Sequence, residues 1–202
     1  MIFLFLFSLT CVSAALLPEC PKCGIMDVPY PLSSSDKCGN TNYKIHCKNN
    51  SLEFLSAEGV YYKILSINPN TSRLIIASPF VHEDTNNYCH SSDLSVGGLK
   101  IDENSPFNIS SRNTVMLFNC SQRILLSPLN CSLNNPCRKF EQAKGCRDTL
   151  CCSYLKVKSK TSHQIRVRVG GCTAYTSVVD MKPGDSLNAW RYGIELQWLP
   201  PK

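Results

Sequence analysis

A chain with thirteen cysteines in 202 residues has its fold decided largely by how those cysteines pair. One of them, Cys11, lies in an apolar N-terminal run, and the other twelve follow it. Residues 1–15 read Ile2-Phe3-Leu4-Phe5-Leu6-Phe7 and then Ser13-Ala14-Ala15, an apolar stretch followed by the small side chains at which a signal peptidase cuts. The run is too short to span a bilayer as a stable helix. It is expected to be a secretory signal removed near Ala14 or Ala15, with membrane attachment only if the segment is retained. No later stretch approaches the roughly 18 apolar residues of a spanning helix, so the mature chain is expected to be secreted and extracellular.

In an oxidising compartment thiols pair. Cys20, Cys23, Cys38, Cys47, Cys89, Cys120, Cys131, Cys137, Cys146, Cys151, Cys152 and Cys172 are therefore expected to form a disulfide framework. The spacing leaves the connectivity open, although the neighbours Cys151 and Cys152 are expected to bond to different partners. Each bridge stabilises by about 2–4 kcal/mol, which matters for modules too small to bury a large core. Asn-x-Ser/Thr acceptors for N-glycosylation occur at Asn49, Asn70, Asn108, Asn119 and Asn130. All lie before Cys131, so that half is expected to expose much of its surface.

Charge divides the chain at a similar place. Residues 16–122 carry 8 Lys/Arg against 10 Asp/Glu, a net of −2, while residues 123–202 carry 13 against 5, a net of +8. An asymmetry of this kind points to an anionic partner. The expected organisation is a signal over residues 1–15, one cysteine-rich module over 16–122 and a second over 123–202.

The local pattern is mostly β, disulfide-rich, as two small β modules with short helical segments. Tyr43-Lys44-Ile45-His46-Cys47 alternates apolar and polar residues, and residues 60–67 and 73–77 are rich in β-branched and aromatic side chains around the turn Asn68-Pro69-Asn70-Thr71. Val115-Met116-Leu117-Phe118 reads as a buried strand, and residues 138–144 as a short helix closed by Gly145. In residues 189–198, period two puts Trp190, Tyr192, Ile194, Leu196 and Trp198 on one face and Arg191, Glu195 and Gln197 on the other. That is the pattern of one core strand; an aromatic sugar platform is the alternative.

Residues 155–169 alternate Leu155, Val157, Ile165, Val167 and Val169 with Lys156, Lys158, Lys160, Arg166 and Arg168, around the polar link Thr161-Ser162-His163-Gln164. This is expected to be a hairpin with one basic face. Like charges side by side destabilise a sheet, so the five cations suit an anion, or else a solvated edge kept from aggregating by its lysines. Exposed ion pairs contribute about 0.2–1 kcal/mol each. Useful affinity would need a repeating polyanion and avidity.

Catalytic motifs are missing: there is no Gly-x-Ser-x-Gly, no His-Glu-x-x-His, no phosphate-cradling glycine loop and no kinase catalytic loop. Neither an enzyme nor a cofactor is expected. Cys20-Pro21-Lys22-Cys23 has redox spacing, but among ten other cysteines in an exported chain it is expected to be structural. The four histidines are scattered, and His82-Glu83-Asp84 with His90 is expected to be a solvated loop in preference to a cation site.

Cys20-Pro21-Lys22-Cys23-Gly24, Val28-Pro29-Tyr30-Pro31-Leu32, Cys38-Gly39 and Tyr43-Lys44-Ile45-His46-Cys47 resemble the start of the galacturonan-binding extracellular domain of plant wall-associated receptor kinases. The resemblance continues through Tyr61-Tyr62-Lys63-Ile64-Leu65-Ser66-Ile67, Cys89 and Asn119-Cys120. Leu150-Cys151-Cys152, Gly171-Cys172-Thr173-Ala174-Tyr175 and Tyr192-Gly193-Ile194-Glu195-Leu196-Gln197-Trp198 resemble the cysteine-rich C-terminal module of the same family. Leu32 stands where that family usually has Phe. The family continues into a transmembrane helix and a kinase, which this sequence is expected to lack, as a natural short form or a truncated gene model.

The resemblance implies a pectin-type ligand, galacturonan of the plant cell wall, and places it on the first module, where Lys22, Lys44 and Lys48 are the local cations. Charge instead favours the basic hairpin, and the site stays open between the two. Tyr30, Tyr61 and Tyr62 can stack on sugar rings, with at least two of them expected in the core. The function expected is non-catalytic binding of acidic cell-wall polysaccharide, with no nucleic acid involved. The alternative is a protein-interaction module, a decoy or coreceptor partner of a full-length wall-associated kinase. Non-reducing peptide mapping of the secreted protein should find all twelve cysteines oxidised; two or more free thiols would contradict the framework.

Overall fold

The computed structural model describes residues 18–79, 90–120, 132, 134–144, 150–155, 163–165, 171–182 and 184–201. The N-terminal run, the His82-Glu83-Asp84 loop and Gly145 lie outside them. The chain is mostly β, built as two antiparallel sheets.

The first sheet begins as a meander. Strands β1 (His46–Lys48), β2 (Ser51–Leu55), β3 (Tyr61–Asn68) and β4 (Arg73–Ile76) follow one another in space as in sequence. Alternation decides which face each residue takes: Leu52, Phe54, Tyr62 and Ile64 are buried, while Tyr61, Lys63 and Leu65 are exposed. The expected turn between β3 and β4 is a single 3-10 turn, Pro69–Thr71, with proline at its start where no N–H is needed. The strand expected from Tyr43 starts later, at His46, because Thr41–Tyr43 forms a 3-10 turn capped by the Asn40 side chain.

Beyond β4 the order departs from the sequence. The next strand in space is β10 (Ile194–Trp198), and β5 (Phe107–Ile109) pairs with its far edge. Residues from the C-terminal third thus occupy the interior of a sheet whose other strands all come from the first 109 residues. Phe107 lies at the centre of the core beneath it, edge-on to Tyr43, Phe54 and Trp198 at 6.2, 5.3 and 6.4 Å.

The second sheet has the order β7-β6-β8-β9, from β6 (Asn113–Cys120), β7 (Leu150–Leu155), β8 (Ala174–Val179) and β9 (Arg191–Tyr192). Its central strand explains the unbroken apolar run expected there. Val115 and Leu117 join the core shared with the first sheet, while Met116 and Phe118 face a smaller core with Phe140 and Trp190. A strand buried on both faces needs no polar alternation. Helix α1 (Pro136–Lys144) covers that second side and stacks Phe140 on Phe118 at 5.0 Å. It starts two residues before the expected 138, with Pro136 as its first residue and the Asn135 side chain accepting the Cys137 N–H at 2.9 Å.

Four disulfides lie among the described residues: Cys20–Cys38, Cys23–Cys47, Cys120–Cys172 and Cys137–Cys151. The first two tie the N-terminal loops to each other and to β1. The third joins the end of β6 to the approach to β8, and the fourth joins α1 to β7. Cys89, Cys131 and Cys146 lie outside the described residues, as does the side chain of Cys152.

The single strand expected over residues 189–198 is corrected. Gly193, at φ +127°, separates β9 from β10 and passes the chain from the second sheet into the first. Trp190 therefore fills the second core, Ile194, Leu196 and Trp198 fill the first, and Tyr192 is exposed. Glu195, expected on a polar outer face, is buried beneath Arg73 and Arg112, whose guanidinium nitrogens lie 3.6 and 3.3 Å from its carboxylate. Asn113 adds a two-pronged contact, its amide oxygen accepting the Glu195 N–H and its amide nitrogen donating to the Glu195 carbonyl, both at 2.8 Å.

A second buried acid joins the sheets. Asp93 accepts hydrogen bonds from Tyr62 of β3, at 2.5 Å, and from Tyr175 of β8, whose hydroxyl in turn accepts the Leu99 N–H. Burial raises the Asp93 carboxyl above its ordinary value despite the two hydroxyls that oppose the rise, and burial likewise pushes both phenols up.

Two outcomes follow. A Cβ at residue 193 would stand 2.5 Å from Ile75 Cγ2 and 2.8 Å from the Ile76 carbonyl. Gly193→Ala should therefore lower stability by about 2–5 kcal/mol in chemical denaturation, from overpacking plus backbone strain. Because the folded protein holds the Asp93 proton more tightly than the unfolded chain does, its stabilising contribution is complete below the ordinary aspartate range. It is lost as pH rises through the raised folded value. Asp93→Asn should flatten the fall in denaturation midpoint across that window.

Candidate functional site

Period two places His46 and Lys48 of β1, Ser51, Glu53 and Leu55 of β2, and Tyr61, Lys63 and Leu65 of β3 on the outer face of the meander. The register aligns His46, Glu53 and Lys63 in one row across the three strands. Tyr61 leans over β2 toward β1. Its ring meets His46 edge-on at 5.4 Å and carries the Lys48 ammonium 3.2 Å from its centroid.

A cation over an aromatic face gains about 0.5–1 kcal/mol at an exposed site. More usefully, the contact fixes a long side chain that would otherwise lose rotamer freedom when it meets a ligand. Glu53 assists only loosely: its Oε2 is 3.8 Å from Lys48 Nζ, is buried and accepts no hydrogen bond among the described residues. Lys44 precedes the strand and pairs with Asp36 at 3.0 Å; Lys22, in the Cys20–Cys23 loop, pairs with Asp27 at 3.0 Å. Both pairs are solvent-exposed, so each holds its lysine by little. Lys63 is exposed and forms no ion pair among the described residues.

His46 is half-buried in this setting. Burial lowers its pKa first, Lys44 and Lys48 lower it further, and Glu53 opposes them. The imidazole is therefore neutral at neutral pH. Among the described residues no group of three His, Cys, Asp or Glu is placed to hold a metal ion.

Of the cations singled out in the sequence, Lys44 and Lys48 both act on His46 here, while Lys22 belongs to the loop that Cys23 ties to Cys47 of β1 and pairs there with Asp27. Lys156, Lys158, Lys160, Arg166 and Arg168 lie outside the described residues. Between them, Gln164 bridges Lys100 and Ile165 is buried, its N–H donating to the Leu99 carbonyl. The expectation that two of the three tyrosines are core residues is corrected: Tyr62 is buried, but Tyr30 is 57% and Tyr61 42% exposed. His46 and Lys63 were missed, although alternation along β1 and β3 carries both; what the sequence hides is the register that sets them side by side.

The glycosylation acceptors differ in setting. Asn49 is exposed in the two-residue turn between β1 and β2, where it and Asn50 both have positive φ, and Asn70 is exposed in the turn between β3 and β4. Asn108 lies on the edge strand β5, and the Asn119 amide donates to Thr173 at 2.8 Å. Asn130 lies outside the described residues. No helix among the described residues is long and apolar enough to cross a membrane.

Residues 19–78, which include the whole meander, match the family model described as wall-associated receptor kinase galacturonan-binding. Two Arabidopsis thaliana proteins are similar over most of the chain. Wall-associated receptor kinase-like 20 is 39% identical over 193 residues, covering 92% of this chain and 29% of that protein. Wall-associated receptor kinase-like 15 is 34% identical over 197 residues, covering 91% of this chain and 30% of that protein. The chain thus spans less than a third of the length of the curated relatives it matches. No solved structure matches it. Residues 19–78 are therefore a domain of the wall-associated receptor kinase galacturonan-binding type, in a chain homologous over most of its length to wall-associated receptor kinase-like proteins.

Proposed function

We propose that this protein is exported to the plant cell wall and binds galacturonan, without catalysis, through the outer face of β1–β3. The observation that carries this reading is the Lys48 ammonium held over the exposed Tyr61 ring, inside the residues that match the galacturonan-binding family. Lys44, Lys48 and Lys63 supply the charge that a row of sugar carboxylates requires. Tyr61 supplies an aromatic edge and pre-positions one of the three cations. The acids beside Lys44 and Lys48 keep the free surface near neutrality, and a polymer with a carboxylate on each sugar replaces those weak pairs several at a time. The relatives' names, wall-associated receptor kinase-like, favour the same setting.

Retention on polygalacturonate across a salt series, with a neutral glucan as control, tests the reading. Binding should be present at low salt, fall as salt rises, and be absent on the glucan. Replacing Lys48 and Lys63 together by Ser should weaken it about two- to thirtyfold, from two ion pairs at roughly 0.2–1 kcal/mol each. Replacing Lys156, Lys158, Lys160, Arg166 and Arg168 by Ser should leave most of the affinity in place. A protein that ignores polygalacturonate in dilute buffer is not a galacturonan binder, and one disabled only by the five-residue variant binds through the basic segment instead.

A further inference from the structure

The same face carries a titratable group that the lysines alone do not account for. His46 lies between Lys44 and Lys48 in sequence, with its side chain on the face of Lys48. Glu53 stands opposite it on β2, Lys63 lies beyond Glu53 in the same row on β3, and Tyr61 contacts the imidazole edge-on. These are the charged and titratable groups that face it. Three are cationic and one is anionic.

We propose that His46 is a further, proton-dependent cation of this surface, taking up a proton when a polyuronate settles over Lys44, Lys48 and Lys63. The inference rests on the galacturonan reading above and adds to it a proton linkage. In the free protein partial burial, and after it the two neighbouring ammonium groups, disfavour the charged imidazole. A bound polyanion adds negative charge beside those ammonium groups and offsets their effect on the imidazole, as Glu53 does in part already. The charged imidazole then gains a partner, while Glu53 already favours it. Sugar carboxylates, like other carboxylates, remain ionised at pH 5 and above, so lowering the pH to that point adds a cation to the protein without removing an anion from the ligand. Binding and protonation therefore favour each other by the same factor.

The affinity for a short galacturonate oligomer should be measured at pH 7.5 and pH 5.0 at fixed ionic strength, for wild type and His46→Gln. Wild type should bind at both pH values and roughly three- to tenfold more tightly at pH 5.0, tenfold being what one unit of difference between the free and bound imidazole pKa supplies. Whatever its affinity at pH 7.5, His46→Gln should lose the gain, so that its affinities at the two pH values converge. NMR titration of the wild-type His46 ring should show its midpoint rise when the oligomer is saturating. This readout does not depend on the variant folding. Binding that is equally tight at both pH values, or an unmoved ring midpoint, overturns the proton linkage and leaves the galacturonan reading standing. No binding at either pH overturns both.

Discussion

The insertion of β10 between β4 and β5 is the constraint on which the rest of the architecture depends. It completes the first sheet, carries Ile194, Leu196 and Trp198 into the larger core and draws the second sheet alongside. Gly193 makes the passage possible because the backbone there takes a positive φ and passes against Ile75 and Ile76 with no room for a side chain. The polar groups left at the crossing find partners close by. Asn113 satisfies the Glu195 backbone, while Arg73 and Arg112 offset its charge. A buried carboxylate without such company would be strongly destabilising.

The disulfides divide the remaining work. Two of them secure the N-terminal loops, which supply Val28, Leu32, Tyr43 and Ile45 to the larger core, and one of these, Cys23–Cys47, anchors β1, the strand that carries His46 and Lys48. The candidate face is therefore a rigid meander fixed covalently at its edge. That suits a surface made of weak, exposed contacts, because affinity built from small increments is easily lost to motion.

Local pattern made much of this legible in advance. The β-branched and aromatic stretch at residues 60–67, the turn at Pro69 and the apolar run from Val115 all appear as read, and α1 lies within two residues of its expected start. The misreadings share a cause. Trp190, Tyr192 and Ile194 keep period two straight across Gly193, so nothing in the pattern shows that the two halves belong to different sheets. Asp93 was not singled out, because its partners Tyr62 and Tyr175 are 31 and 82 residues away in sequence. The candidate face was half legible for the same reason. Lys48 and Tyr61 stand out singly, but pairing through β2, which no local window contains, brings them together.

Interleaving also sets when the protein can first exist as a folded object. A ribosome delivers residues 19–78 early, yet the hydrogen-bonding edge of β4 then has no neighbour until residue 198 has emerged. During that interval the nascent meander is an unfinished template, open to pairing with any extended chain nearby. The unit that folds is therefore larger than the unit recognisable by family resemblance, and an excised piece ending at residue 78 would keep the candidate binding surface while losing the strand that shields its flank.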